Sequence, residues 1–255
     1  MSEVPWYAQT PYGVRFDWGP VGAERLGEHC SCVVVVDVLS FTTTVTVAVD
    51  AGTRVFPYPW RDETAATFAK DKHARLAVGR KQVSDANPWS LSPAALRRAP
   101  AVDRLVLPSP NGSTIAAAAA KAGATVVAGS LRNARGTGHW LAANGFGTPE
   151  RPVAVIASGE RWPDGSLRPA LEDILGAGAV IAALIEAGSD SVSPESVAAR
   201  ACVHTFADIP ATVADCASGR ELEEYGFAED VAIATEIDAS TTVPVLTDEA
   251  FVAAT

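Results

Sequence analysis

The sequence predicts an α/β protein in which helices cover both faces of a largely parallel sheet, giving three layers. Two observations carry this. First, one unit recurs: an apolar strand, a polar turn, a helix-sized segment ending near a glycine, and more apolar chain. Residues 32–58 (CVVVVDVLSFTTTVTVAVDAGTRVFPY), 103–129 (DRLVLPSPNGSTIAAAAAKAGATVVAG) and 151–188 (RPVAVIASGERWPDGSLRPALEDILGAGAVIAALIEAG) all read this way. Second, each apolar strand is continuous rather than alternating, as expected of a strand buried on both faces. Strands that alternate with helices need parallel crossovers, and these place helices on the faces of the sheet.

The elements follow in order. The valine run 32–36 is the first strand of the repeat. Residues 42–49 (TTTVTVAV) favour strand by propensity, since most are β-branched. The repeat and the need for a crossover assign them to a helix instead, stopped at Gly52. Residues 80–100 hold Pro88, Pro93 and Pro100 among polar residues and read as a loop with a short helix. A strand from 105 runs into the turn 109–114 and an alanine helix that stops at Gly123. Residues 134–150 read as a helix followed by a linker rich in glycine. A boundary near 150 divides the chain into segments 1–150 and 151–255, which can pack as one unit. The third unit has a longer loop, 158–173, before a helix that stops at Gly188. Glycines at these stops suit the left-handed conformation in which helices commonly end. The tail 219–246 holds a further helix-like run opened by Glu229 and Asp230.

Composition excludes several classes. The 255-residue chain has 20 basic and 30 acidic residues, a net charge of −10, and no basic run. A nucleic-acid partner would call for a basic face. No apolar segment approaches the roughly 18 residues of a membrane span. The opening MSEVPWYAQTPYG lacks a basic start and an apolar core, so no export signal is expected and a cytoplasmic location is. Cys30, Cys32, Cys202 and Cys216 make no paired zinc spacing and read as buried thiols. The four histidines form no HExxH.

Open parallel sheets bind ligands beyond the carboxyl ends of their strands. The polar turns there hold the candidates. Asp37 ends the valine strand, where a carboxylate either binds Mg²⁺ or caps the next helix. Asn111, Gly112, Ser113 and Thr114 open the alanine helix; they form either a cap or a cradle for an anion at the helix N-terminus. Glu172 and Asp173 open the third helix, either complementing its dipole or holding a divalent ion. Arg161, beside Glu160, has the fork to clamp an oxyanion. Several hydrolase signatures are missing: Leu39 occupies the position two after Asp37 where haloacid-type enzymes need aspartate, and Cys216 has Arg220 only four residues on, too close for the CxxxxxR loop. GxSxG and Arg-His-Gly are both missing.

Five stretches in order, VVVVDVLSFTTTVTVAVDAG, LPSPNGSTIAAAA, GSLRNA, IASGERW…PALEDILGAG and GRELEEYGFAEDVAIATEIDASTTVPVL, resemble the 2-phosphosulfolactate phosphatase (ComB-like) family from about residue 33 to 246. The resemblance implies an α/β/α fold of two related halves and a Mg²⁺-dependent acid phosphatase. Its substrate would be a phosphate monoester of a small sulfonated hydroxy acid. It also implies Asp37, Glu172, Asp173 and Asp230 as metal and catalytic residues. Asn111, Gly112, Ser113, Thr114 and Asn133 would serve the phosphate, and Arg220 the carboxylate or sulfonate, for which Arg161, read above from its own position, is the alternative. A homodimer is the candidate assembly. The chain departs from the family at Ser40, where arginine is usual, and at Gly79-Arg80-Lys81, where Gly-Glu-Arg is usual. Arg80 and Lys81 are the candidates to replace the missing charge. Ser40 keeps two alternatives open: a catalytically silent binder of small anions, or a phosphatase of another phosphorylated metabolite.

Overall fold

The computed structural model describes residues 5–59 and 62–254; the first four residues of the stretch read as lacking an export signal lie outside these. The strands are β1 (Val14–Trp18), β2 (Cys32–Val36), β3 (Arg54–Tyr58), β4 (Arg75–Leu76), β5 (Arg104–Pro108), β6 (Thr125–Gly129), β7 (Val153–Ala157), β8 (Glu160–Arg161), β9 (Leu167–Arg168), β10 (Pro244–Thr247) and β11 (Ala250–Ala253). The helices are α1 (Gly19–Gly27), α2 (Phe41–Asp50), α3 (Glu63–Asp71), α4 (Pro93–Arg98), α5 (Gly112–Lys121), α6 (Ala134–Ala143), α7 (Leu171–Glu186), α8 (Pro194–Thr205), α9 (Ile209–Asp215), α10 (Ala217–Glu224) and α11 (Ala228–Ala234).

Nine strands form one sheet in the order β1-β7-β2-β6-β10-β11-β3-β5-β4. Pairing is parallel within β1-β7-β2-β6 and within β3-β5-β4. The antiparallel hairpin β10–β11 joins these two blocks. The segments on either side of residue 150 share this sheet, because β7 lies between β1 and β2. The two parallel blocks therefore do not coincide with those segments.

The valine strand shows why the sheet is a middle layer. Val33 and Val35 join Ala23 of α1, Phe41 and Val45 of α2 and Ile115 of α5 in one core. Val34 and Val36 join Leu141 of α6 and Leu175, Val180 and Ile181 of α7 in the other. Each fully buried valine contributes on the order of 1.5 kcal/mol or more through burial of apolar surface.

The segment 42–49 is helical, as the repeat required. Phe41, Val45, Ala48 and Val49 recur on one face and enter the core. The threonines between them are buried, and each hydroxyl has a backbone carbonyl to bond. Thr42 donates to Asp37 O, Thr43 to Val38 O, Thr44 to Leu91 O and Thr46 to Thr42 O, all at 2.8 Å. Tertiary burial and local carbonyl partners thus override the strand propensity of the run. Gly52, Gly123 and Gly188 follow their helices with φ of 83°, 84° and 113°, the left-handed stop expected of them.

Candidate active site

The site is built from the turns that follow β2, β5 and β7. Asp37 comes directly after β2 and is 7 % exposed. Its Oδ1 accepts the Phe41 N–H and its Oδ2 accepts the Gly112 N–H, both at 3.0 Å. The first bond closes the turn into α2. The second ties that turn to the start of α5. β2 and β5 belong to different blocks of the sheet, but α5 lies across β2, β3 and β6, which brings its first turn to Asp37. Gly112 is required there: a β-carbon would fall inside the van der Waals limit of Phe41 Cδ1 and 2.8 Å from Asp37 Oδ2.

Asp173, in the first turn of α7, is a second clamp of the same kind. Its Oδ1 accepts the Val38 N–H and its Oδ2 the Gly159 N–H, each at 2.8 Å. It therefore joins the turn after β2 to the turn after β7. Its neighbour Glu172 is 2 % exposed and accepts from the Cys216 thiol, with Sγ 3.3 Å from Oε2. Glu160 opens the small hairpin β8–β9, and its Oε2 accepts from Asn111 Nδ2 at 3.1 Å.

Four carboxylates thus converge, and their electrostatics follow from burial. Desolvation first, and then the charge of Glu172, raises Asp37 above the ordinary carboxylate range, against the pull of its backbone N–H donors and of Arg80. Asp173 is raised well above that range by desolvation and by Glu172 and Asp37. Glu160 is pushed up to about 7 by desolvation, with Asp37 and Glu172 adding to the effect. Burial disfavours the charged form and like charges disfavour it further. The Cys216 thiol is likewise pushed up to about 11, by desolvation and then by Glu172, so it is a proton donor to Glu172 and not a nucleophile.

Beside these acids lies a cavity of about 500 Å³, lined among others by Leu39, Arg80, Lys81, Glu160, Glu221 and Tyr225. A second, of about 210 Å³, lies along the hairpin and is lined by Asn111, Ser158, Glu160 and Arg161, with Trp18. Ser158, 2 % exposed at the end of β7, has a buried hydroxyl with no hydrogen-bond partner. Such a group costs about 1–3 kcal/mol unless a ligand or water satisfies it.

The structure gathers Asp37, Asn111, Gly112, Glu172 and Asp173, as the sequence led one to expect. It places the other candidates elsewhere. Ser113 is buried with its hydroxyl 3.4 Å from Leu107 O, and the Thr114 hydroxyl donates to Pro110 O at 2.6 Å. Those side chains serve the turn, so an anion at this helix would meet backbone N–H groups. Asn133 is fully buried, and its amide is taken up by the Ser130 N–H and by the carbonyls of Ala128 and Thr242. It braces the chain between β6 and the tail. Arg161 is exposed and donates to Gly165 O within its own hairpin. Arg220 is exposed and paired with Asp215 at 3.0 Å, which turns its charge to that surface acid. Asp230 is 1 % exposed and accepts from Ser92 Oγ, the Ala94 N–H and Arg80 Nε, an arrangement that suits an anchor for arginine better than a metal ligand.

Sequence reasoning passed over Glu160 and Ser158 as individual site residues, although both lie in a stretch it marked. It named Arg80 only as a candidate to replace the charge missing at residue 40. Arg80 Nη2 donates to Ser40 Oγ at 2.5 Å, so its guanidinium lies beside residue 40, where the family usually has arginine.

The three-layer fold thus gathers buried carboxylates at the carboxyl edge of its parallel strands, beside the first turn of α5 and near Arg80. The family comparison makes this specific. The family model of 2-phosphosulpholactate phosphatase matches residues 22–249, nearly the whole chain, and the protein belongs to that family. The family is one of phosphoric monoester hydrolases. No curated protein matches the chain.

Proposed function

We propose that the protein hydrolyses the phosphate monoester of a small hydroxy acid carrying carboxylate and sulfonate groups, 2-phosphosulfolactate or a close analogue, with Mg²⁺. The observation that carries the reading is Asp37, pinned through both oxygens between two turns and facing the first turn of α5. Gly112 already gives its N–H to Asp37. The N–H groups of Ser113 and Thr114 are the remaining first-turn donors for a phosphoryl oxygen, at the positive end of the helix. Ser158 supplies a further donor. Glu160 still holds its proton near neutrality and stands near Asp37, so it is the group able to protonate the leaving alkoxide.

The donor set suits Mg²⁺ in kind. All the groups are hard oxygens, and their mutual charge has little compensation. Among the described residues, no three acidic, histidine or cysteine side chains form a ready-made ion cage. Mg²⁺ usually takes one or two carboxylates and completes its shell with water and substrate phosphate. Asp37 and Glu172 would hold it, with Asp173 as the brace. The ion would neutralise charge on the phosphoryl oxygens. Asp37 serves as nucleophile or as the orienter of an attacking water; a phospho-aspartate trapped at residue 37 by rapid quench distinguishes the first.

The test is phosphate release from phosphosulfolactate and from a panel of phosphate esters, with Mg²⁺ and with EDTA. Metal-dependent release with loss of more than about tenfold in Asp37→Asn is expected, each tenfold being about 1.4 kcal/mol of barrier. Equal turnover with and without metal would refute the metal role. Ligand binding without any release would favour the silent anion-binding alternative.

A further inference from the structure

The larger cavity has a cationic wall that the reading above does not use. Arg80 is held at several points. Its Nε donates to Asp230 Oδ2 at 3.0 Å and its Nη2 to Ser40 Oγ at 2.5 Å, while its guanidinium carbon lies 5.8 Å from the centroid of the Phe227 ring. Asp230 is itself fixed, since its Oδ1 accepts from Ser92 Oγ at 2.5 Å and from the Ala94 N–H at 3.1 Å. An arginine needed only to neutralise Asp230 would engage both carboxylate oxygens. Here Oδ1 is already occupied and only Nε reaches the acid, which leaves Nη1 and the second hydrogen of Nη2 as donors. Lys81 follows, its Nζ 4.3 Å from the centroid of the Tyr225 ring. Both cations line the same cavity as Glu160.

The lining of the cavity is mixed in charge: Glu160 and Glu221 are its acids, while Arg80, held by Asp230 and Ser40, and Lys81, over the Tyr225 ring, are its cations. A guanidinium held in place before binding loses little side-chain freedom when it takes up a carboxylate or sulfonate through its fork. Glu221, on the same wall, would repel an anion placed away from that fork.

We propose that Arg80 and Lys81 form a second anion subsite, which receives the carboxylate or sulfonate that is not transferred. They determine specificity for doubly anionic substrates, and Asp230 is the residue that positions Arg80. The inference rests on the phosphatase reading only for the choice of reacting end.

Two measurements test it on the full-length protein. The first is calorimetric binding of 3-sulfolactate, a phosphate-free hydroxy acid with both anionic groups, to the wild type, Arg80→Gln and Lys81→Met. Lys81 is exposed, so its variant guards against a folding defect in the other. Wild-type binding that weakens about tenfold in Arg80→Gln and at least threefold in Lys81→Met is expected. No binding to the wild type, or a change under threefold in both variants, overturns the subsite. The second is the ratio of kcat/KM for phosphosulfolactate to that for phenyl phosphate, which has no second anion. The ratio should fall about tenfold in Arg80→Gln, and in Asp230→Asn KM for the doubly anionic ester should rise more than kcat falls. A ratio that stays within threefold in Arg80→Gln overturns the assignment. If the wild type releases phosphate from neither ester, the phosphatase reading fails and the calorimetry alone decides the subsite.

Discussion

Glu160→Gln isolates the stability that the acidic cluster costs. Glu160 titrates near 7 in the fold against an ordinary 4.5, because it is desolvated and faces Asp37 and Glu172. Below about pH 4.5 both folded and unfolded chains hold the proton, and the residue has no effect on their balance. Between 4.5 and 7 the folded chain keeps a proton that the unfolded chain releases, so raising the pH favours unfolding. Above 7 the full cost is present. Two and a half pH decades at about 1.4 kcal/mol each give at most about 3.5 kcal/mol, and about 2 once solvent around this partly buried group is allowed for. Asp37 and Asp173 are raised too and act with the same sign. Glutamine keeps the neutral shape and does not titrate. Urea unfolding in EDTA at pH 5 and pH 8 should show the wild type losing about 2 kcal/mol more than Glu160→Gln over that interval. In thermal terms this is about 4–8 °C for a chain of this size. Parallel losses within about 0.5 kcal/mol in the two proteins would refute the placement of Glu160 among uncompensated carboxylates.

Gly112→Ala forces a methyl group against Phe41 and the Asp37 carboxylate. A loss of about 1–3 kcal/mol in unfolding free energy is expected, together with a fall in kcat, because the turn must move away from Asp37; an active variant of wild-type stability would contradict the packing. Asp173→Asn places an amide NH₂ against one of two backbone N–H groups, so it should destabilise by about 2 kcal/mol or more in urea. Glu172→Gln removes a buried like charge and leaves the clamps intact, so it should raise stability in EDTA while weakening the stabilisation by Mg²⁺. That stabilisation is read as the thermal shift between EDTA and Mg²⁺ at pH 8.

The legible part of the fold was the part in which local pattern and tertiary role agree. Continuous valine runs and glycine stops located the parallel strands and their crossovers. The site turns followed because such sheets expose their strand ends to ligand. The hairpin β10–β11 was not legible. Its two-residue turn, Asp248-Glu249, adopts φ of 49° and 64° without the Asn-Gly or Asp-Gly that usually marks such a turn. What reveals it is its place between two parallel blocks, a tertiary fact. The sequence showed which turns would meet but not which partner each side chain would take. Gly112 gives its N–H to Asp37. Arg220 has Asp215 five residues before it, Asn133 has Ser130 three before it, and Thr114 has Pro110 four before it. Such local partners are not marked by any motif.

Arg80 and Asp230 show the converse. They are 150 residues apart, and neither sits in a motif that names the other. Their bond joins the loop 80–100, which the sequence reads as a loop with a short helix, to the tail that carries α11. Asp37 and Asp173 work at comparable range, each joining two turns through backbone N–H groups. The carboxylates of this site therefore have two duties. Their hydrogen bonds hold separate strand ends together, and that same convergence concentrates negative charge that the fold does not fully neutralise. Oriented N–H dipoles offset part of that cost at each clamped carboxylate. On the function proposed above, a metal ion would relieve the rest, so the residues that assemble the site would also be the ones that receive it.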